Sequence, residues 1–126
     1  MREAGPGLAV LKRRRDFLAA SRARKAQSPG FALQARDRGE ARPGPPRVGF
    51  TASKKVGGAV ARNRAKRRLR ALVRQNLALA ARPGWDYVLI ARCDATASRT
   101  FALLESDLAA ALVRVHAEQR RRAPRS

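Results

Sequence analysis

The residues best suited to chemistry lie between Phe50 and Gln75, where positive charge is dense and negative charge is absent. From Ala41 to Trp85 the sequence contains twelve Lys and Arg residues and no Asp or Glu. An exposed helix usually mixes both signs, because oppositely charged side chains four residues apart stabilise it slightly. A long segment without acids instead indicates an external polyanion, whose phosphates arginine side chains bind well.

Other residue types with catalytic potential form no recognisable grouping. His116 has no serine, cysteine or carboxylate set around it and is interpreted as a histidine on a helix surface. Cys93 follows an apolar run and is interpreted as a small buried residue. Four carboxylates lack the spacing of a nuclease metal site and are interpreted as solvated surface groups or helix caps: Asp86, Asp94, Glu105 and Asp107. We therefore expect no catalytic residue, metal site or other cofactor in the protein alone.

The overall composition points to the same kind of partner. The chain has 126 residues, with 29 Lys and Arg against 9 Asp and Glu and a formal net charge of +20. Such an excess repels itself in a compact fold and favours a nucleic acid partner over a membrane surface or an acidic protein. The single cysteine excludes an intrachain disulfide and fits a reducing compartment. No apolar run is long enough to cross a membrane, so the sequence predicts a cytoplasmic protein.

The basic segment has two sides on an ideal helix. Gly57-Gly58 and Pro83-Gly84 bracket a predicted helix from about Ala59 to Ala80. At about 100° per residue, one stripe is apolar and must face a sheet: Ala61, Ala65, Leu69, Leu72 and Val73. The opposite side carries Asn63, Arg64, Arg67, Arg70 and Arg74, with Lys66 and Arg68 on its flanks and Arg62 at the edge of the apolar stripe.

A second candidate anion site lies at the start of this helix. Lys54 and Lys55 precede Gly57-Gly58, whose lack of Cβ lets a phosphate approach the free N–H groups of the first helical turn. The glycine pair also fits a flexible joint with no ligand, and the sequence leaves both interpretations open.

The remaining helices and strands are predicted from the periodicity of apolar residues and from the Gly and Pro residues that end them. Residues 1–10 and 119–126 are predicted to be mobile basic tails around an ordered core of about residues 11–118, in a single domain of residues 1–126. The strand at Arg47–Ser53 is expected to form a hairpin with the strand at Phe31–Arg36. The strands at Arg47–Ser53 and Trp85–Ala91, which flank the basic helix, are expected to form a parallel crossover pair. The elements are a helix from about Lys12 to Arg22, strands at Phe31–Arg36 and Arg47–Ser53, the basic helix, a buried strand at Trp85–Ala91 and a helix from about Thr100 to Arg120.

The run from Ser53 to Arg70, SKKVGGAVARNRAKRRLR, resembles the signature of the bacterial ribonuclease P protein subunit, whose hallmark is R-N-R-x-K-R. The segments LKRRRDF, RVGFTASKK and YVLIAR also resemble family features, in the same order along the chain. The residues that match the hallmark position by position are Arg62, Asn63, Arg64, Lys66, Arg67 and Arg70.

The resemblance implies an α+β fold, in which helices pack on a small mixed sheet of about four strands. The implied order is α-β-β-(β)-α-β-α, with a left-handed β-α-β crossover. Periodicity alone indicates only three strands, and the general rule for such a crossover is the right-handed sense.

The resemblance also implies two binding surfaces. The basic helix would bind the catalytic RNA, through Lys54, Lys55, Arg62, Asn63, Arg64, Lys66, Arg67, Arg68, Arg70 and Arg74. A cleft between the sheet and the first helix would receive the single-stranded 5′ leader of precursor tRNA, through Phe17, Arg13, Arg14, Phe31 and Phe50. Ser21 and Gln34 stand where the family commonly has further aromatic residues, which removes two stacking surfaces from that cleft.

In such a holoenzyme, one protein per RNA would assist an endonuclease whose catalysis resides in the RNA and requires Mg²⁺. Two other functions fit the charge and size. One is a structural ribosomal-type RNA-binding protein without a role in catalysis. The other is a DNA-binding module with the basic helix in a major groove, which is disfavoured because Asn63 is the only base-reading amide among the cations from Ser53 to Arg70.

Overall fold

A computed structural model describes the backbone of residues 3–77 and 80–122, and the side chains of residues 4–77 and 80–117. Six strands and four helices occur in these ranges, together with a 3-10 turn at Lys54–Val56. The strands are β1 (Glu3–Gly5), β2 (Leu8–Val10), β3 (Arg24–Gln27), β4 (Phe31–Asp37), β5 (Arg47–Thr51) and β6 (Trp85–Ala91). The helices are α1 (Arg14–Ser21), α2 (Ala59–Asn76), α3 (Ala95–Ser98) and α4 (Phe101–Arg122).

The strands form one mixed sheet in the order β1-β2-β5-β6-β4-β3. β5 and β6 are parallel neighbours joined through α2, as predicted for a crossover pair, whereas the left-handed sense of that connection stays a prediction. The predicted hairpin of the strands at residues 31–36 and 47–53 is wrong, because β6 lies between β4 and β5 and pairs with both. A long apolar strand is more stable in the centre of a sheet than at its edge, because both of its edges are then hydrogen-bonded and both of its faces are covered.

The sheet has six strands rather than three or four, because short strands extend it at both edges. β3 pairs with β4 in a tight hairpin. β1 and β2 form an antiparallel hairpin, and β2 pairs in parallel with β5. The predicted tail over residues 1–10 is part of the sheet from residue 3 onward, and Leu8 is buried in the core. The predicted tail at 119–126 begins as helical backbone to Arg122, and its last four residues lie outside the described ranges.

Helices cover both faces of the sheet. On one face, here called the α2 face, α2 and α4 bury Leu69, Leu72, Leu104 and Leu108 against alternate residues of the strands. On the other, the α1 face, a smaller cluster joins Leu11, Ala20 and Val88 with Phe17 and Ile90 packed against it. The predicted inner stripe of α2 is confirmed, except that Ala61 is only half-buried. No helix in the described ranges is long and apolar enough to cross a membrane.

A network of charged side chains joins four elements at one end of the α1 face. Asp86 of β6 is fully buried and accepts hydrogen bonds from Arg38 (2.7 Å) and from Arg47 of β5 (2.8 Å through Nε and 2.8 Å through NH2). Asp16 of α1 lies 3.8 Å from Arg36 of β4 and 3.5 Å from Arg47. The hydrogen bond to Asp86 raises the pKa of Arg47 above its ordinary value, against the opposing effect of burial. The interpretation of Asp86 as a solvated carboxylate is therefore wrong.

Replacing Asp86 with Ala is expected to destabilise the fold by ~3–5 kcal/mol, because two arginines would lose the carboxylate that neutralises them in a buried position. The measurement is the free energy of unfolding in urea at pH 7. Glu40→Ala removes the same charge from an exposed loop and should change it by less than ~0.5 kcal/mol. Equal effects of the two substitutions would contradict the structural role of the network.

A hydrogen-bonded aromatic group lies between β6 and α4. The hydroxyl of Tyr87 accepts the N–H of Arg82 (2.9 Å) and shares a 2.8 Å hydrogen bond with Nε2 of His116, whose ring meets Trp85 edge-on. Burial lowers the pKa of His116 to about 4, with smaller contributions from Arg82 and Arg24, and burial raises that of Tyr87 to about 12. His116 is thus half-buried and neutral, not a solvated helix-surface histidine as the sequence had indicated.

The low pKa of His116 gives stability a defined pH dependence. The unfolded chain takes up a proton near pH 6.5 and the folded one only near pH 4, so stability is complete above pH 6.5 and falls as pH drops toward 4. Between pH 7 and 5.5 we expect a loss of at most ~1 kcal/mol, since the ring keeps part of its hydration. Urea unfolding at both pH values measures it, and His116→Gln should abolish most of this difference.

Candidate nucleic-acid interface

The outer side of α2 is a continuous cationic surface, here called the arginine ridge: Asn63, Arg64, Arg67, Arg70 and Arg74. All five side chains are exposed, while Lys66 and Arg62 beside them are half-buried. The inner side of the helix holds Ala65, Leu69, Leu72 and Val73 in the core, which fixes the direction of the ridge. Within the described ranges, no carboxylate forms an ion pair with a residue of the ridge. Its charge is therefore available to an external anion.

Arg68 does not belong to this surface. Its NH1 atom donates to the carbonyl oxygens of Thr96 (2.9 Å), Ala97 (2.9 Å) and Arg99 (2.7 Å), which end the short helix α3. NH1 of Arg68 therefore stabilises the fold, and a contact of Arg68 with RNA stays a prediction. Arg68 lies on the flank of α2, within reach of the carbonyl groups of α3. Because α3 lies far along the chain from the basic segment, the sequence of that segment could not indicate this contact.

The start of α2 has the features expected of an anion cradle. Ser53 caps the 3-10 turn by accepting the N–H of Lys55, and Lys54 and Lys55 are exposed. Gly57 has a φ of 138°, a conformation that side chains with a Cβ rarely adopt. Gly58 is the N-cap of α2, and no side chain accepts the N–H groups of the first helical turn. A fixed turn requires Gly57, whereas Gly58 has an ordinary φ of −74° and open space where a Cβ would lie.

On the α1 face, Phe17 lies directly over the backbone of β5. A Cβ built on Gly49 would be 2.5 Å from Cζ and 2.6 Å from Cε1 of the Phe17 ring, and 3.2 Å from Cβ of Leu11. The ring therefore occupies the space that any side chain at position 49 would fill. Gly49 has an ordinary strand conformation, so it is the contact with the ring and not the backbone that requires glycine here.

A cavity of about 420 Å³ opens beside this ring. β2 covers β5 only as far as Val48, so one edge of Gly49–Thr51 has no neighbouring strand. Phe17 from the α1 face and Phe50 from the α2 face both line the cavity, together with Arg70 and Arg74. The guanidinium of Arg70 lies 5.7 Å from the centre of the Phe50 ring. The open edge of β5 thus connects the α1 face with the arginine ridge.

The other residues predicted for leader binding lie on both faces of the sheet, and not all of them are exposed. Arg13 and Arg14 are exposed at the start of α1, beside Phe17. Phe31 is fully buried on the α2 face, and its prediction as a leader contact is wrong, because strand alternation places it with Leu33 in the core. Phe50 also belongs to the α2 face and reaches the cavity only because the edge of β5 is open.

The two expected departures from the family pattern have clear structural positions. Gln34 is on the α1 face and is almost completely buried, at 7% exposure. The hydroxyl of Ser21 donates to the carbonyl oxygen of Leu18, one turn earlier in α1. Neither side chain offers a flat apolar surface, so Phe17 is the aromatic residue that the α1 face presents within the described ranges.

Sequence reasoning missed the residues that hold this surface in place, namely Asp16, Arg36, Arg47 and Gly49. One signal was present in the sequence. Asp86 interrupts an apolar strand, and a carboxylate inside a buried strand has to be paired with cations. Its partners could not be identified before the order of the strands was known.

The remaining candidates for catalysis are reassigned by their surroundings. Cys93 is exposed and not buried as predicted. Asp107 is buried, where it accepts the N–H of Gly30 (3.1 Å) and pairs with Arg99 (2.7 Å), so its interpretation as a solvated group is also wrong. In the part of the chain that the structure describes, no three His, Cys, Asp or Glu side chains are grouped so that they could hold a metal ion.

The six-stranded mixed sheet, with an arginine-rich helix on one face and a short helix on the other, defines a small basic α+β protein with a surface suited to polyanions. The sequence profile of the ribonuclease P family matches residues 6–116. The chain is 54% identical over 114 residues to the ribonuclease P protein component of Ruegeria pomeroyi, with 90% of this chain and 91% of the relative covered. The chain therefore belongs to the ribonuclease P protein family, the protein component of an RNA–protein enzyme.

Solved structures agree with this assignment. The ribonuclease P protein from Thermotoga maritima matches with a TM-score of 0.66 and 28% identity, over 83% of this chain and 96% of that one. The protein from Staphylococcus aureus matches with a TM-score of 0.63 and 25% identity, over 82% of this chain and 92% of that one. These matches confirm the predicted fold class and family. They favour ribonuclease P over a ribosomal-type protein or a DNA-binding module.

Proposed function

We propose that the chain binds the catalytic RNA of ribonuclease P through the arginine ridge and the start of α2. The observation that carries this proposal is the ridge itself, five exposed polar residues without a carboxylate partner in the described ranges. Arginine forks suit the phosphates of a folded RNA, and neutralised phosphates release counterions, which makes binding salt-dependent. Lys54, Lys55 and the uncapped first turn of α2 extend the same surface toward a further phosphate.

We also propose that the chain binds the 5′ leader of precursor tRNA. Phe17 supplies a stacking surface for an unpaired base of the 5′ leader, and the exposed Arg13 and Arg14 supply charge for its phosphates. The cavity beside Phe17 is open toward Arg70 and Arg74, so a single strand can pass from the α1 face to the ridge without leaving cationic surface. The protein thereby distinguishes a precursor from a mature tRNA, which has no leader.

In this proposal the protein takes part in catalysis by positioning and not by chemistry of its own. Mg²⁺ held by the RNA would activate the water that cleaves the leader and stabilise the leaving oxygen. The polypeptide neutralises phosphates of the RNA and orients the leader, and such binding terms lower the effective barrier when they persist in the transition state. The proposed holoenzyme contains one protein per RNA and is located in the cytoplasm.

Cleavage of precursor tRNA at low Mg²⁺, by the catalytic RNA with the protein added or withheld, tests the function directly. The wild-type protein should raise the cleavage rate, and Arg64→Ala with Arg67→Ala should raise it less. The same double substitution should lower the salt dependence of binding to the catalytic RNA by about one unit of slope per lost phosphate contact.

The control for this experiment removes two positive charges elsewhere. Arg22→Ala with Arg42→Ala changes two exposed arginines outside α2 and should leave the salt slope close to that of the wild type. If both pairs of substitutions reduce the slope equally, net charge and not the ridge determines binding. If wild-type protein does not stimulate cleavage, the proposed function is wrong.

Phe17→Ala should weaken binding of precursor tRNA to the holoenzyme by the ~1–3 kcal/mol that one stacked base contributes. Binding of mature tRNA should be unchanged, because no leader is present to stack. Leu18→Ala removes an exposed apolar side chain from the same helix and serves as the control. Equal losses for precursor and mature tRNA would exclude Phe17 from leader recognition.

A further inference from the structure

The contact between Phe17 and Gly49 determines where the ring proposed to stack on a leader base can lie. The two ring atoms nearest the virtual Cβ of Gly49, Cζ and Cε1, are those at the far end of the side chain. Ordinary van der Waals contact begins at 3.4 Å, so a methyl group at position 49 would displace the edge of the ring by roughly 1 Å. The position of the far end of the ring over the sheet therefore depends on the absence of a side chain at Gly49 on β5.

The helix that carries Phe17 has little freedom to move away instead. Asp16, the preceding residue, is 4% exposed and lies between Arg36 of β4 and Arg47 of β5. Moving α1 outward would separate a buried carboxylate from both guanidinium groups, which is costly. Leu11 borders the same space, with its Cβ 3.2 Å from the position that a Cβ at Gly49 would take, and its N–H donates to the carbonyl oxygen of Val48 at 2.8 Å. Rotation of the ring is the easiest response to a methyl group.

Such a rotation has a definite direction. The ring packs against the cluster of Leu11, Ala20 and Val88, and the space left open beside it is the cavity of about 420 Å³ that Phe17, Phe50 and Arg70 line. A displaced ring would enter that cavity, where an unpaired base would otherwise lie. Two residues of β5 thus determine where the ring lies. Arg47 pairs with Asp16 and holds α1 in place, and Gly49 leaves room for the aromatic ring.

We propose that Gly49 is a positioning residue for leader recognition, which acts only through Phe17 by leaving room for its ring against the backbone of β5, beside the open edge of that strand. The inference rests on the proposed stacking of a leader base on Phe17. It assigns to Gly49 a role in selecting precursor over mature tRNA, in addition to its place in the sheet. Gly49 itself makes no contact with RNA in this arrangement.

The test is a double-mutant cycle in the reconstituted holoenzyme, with precursor tRNA and leaderless tRNA as the two ligands. Gly49→Ala should reduce the preference for precursor tRNA by up to the full effect of Phe17→Ala, with binding of leaderless tRNA and of the catalytic RNA unchanged. In the Phe17→Ala background, Gly49→Ala should change the preference by less than about twofold, because the residue through which it acts is gone. Additive losses in the cycle would overturn the inference.

Two further outcomes separate this inference from the proposed function. If Phe17→Ala leaves the preference intact, the stacking role fails and the inference fails with it. If Phe17→Ala removes the preference and Gly49→Ala does not, the inference alone is overturned.

The folding of Gly49→Ala is also informative. Should it unfold, the pair Gly49→Ala and Phe17→Leu removes Cζ and Cε1, the atoms that clash. A folded pair would locate the conflict at the ring and support the inference. An unfolded pair would show that the strand requires glycine for another reason and would overturn it.

Discussion

The scarcity of carboxylates is the constraint on which the rest of this structure depends. Nine acids accompany 29 cations, and three of those acids, Asp16, Asp86 and Asp107, are buried against arginines. Each joins elements that are distant in sequence, because a buried carboxylate is stable only where cations and N–H groups surround it. These three acids therefore stabilise the sheet and its helices, and no carboxylate in the described ranges forms an ion pair with the arginine ridge on α2.

The position of α2 follows from the sheet. β5 and β6 are parallel, so the chain must return across one face between them, and α2 makes that connection with its apolar side inward. Any helix placed there has its opposite side in solvent, and in this chain that side is cationic. The same strand, β5, borders α1 on the other face and loses its neighbour β2 after Val48. The open edge brings Phe17 and Arg70 to one cavity, although they belong to opposite faces of the sheet.

Much of this arrangement was predictable from local patterns. The inner stripe of α2 is confirmed, because a period of 3.6 residues indicates which side of a helix is buried. The errors have a common origin. Pairing β4 with β5 as a hairpin followed their order in sequence, and the burial of Phe31 and the half-buried His116 depend on which strands and helices face each other. Residues 3–10 looked irregular because two three-residue strands are too short to show a period.

By itself, the sequence determined the chemistry of the protein and its family: a strongly basic chain, an acid-free helix with one apolar side, and a signature from Ser53 to Arg70. These are properties of residue type and spacing along one element, and they do not require long-range contacts. Only the tertiary structure decided which basic residues remain free and which serve the fold, since Arg68 bonds to carbonyls of α3 and Arg47 to Asp86. It also decided that Gly49 lies under Phe17, because two residues 32 positions apart meet only when β5 and α1 pack on the same face.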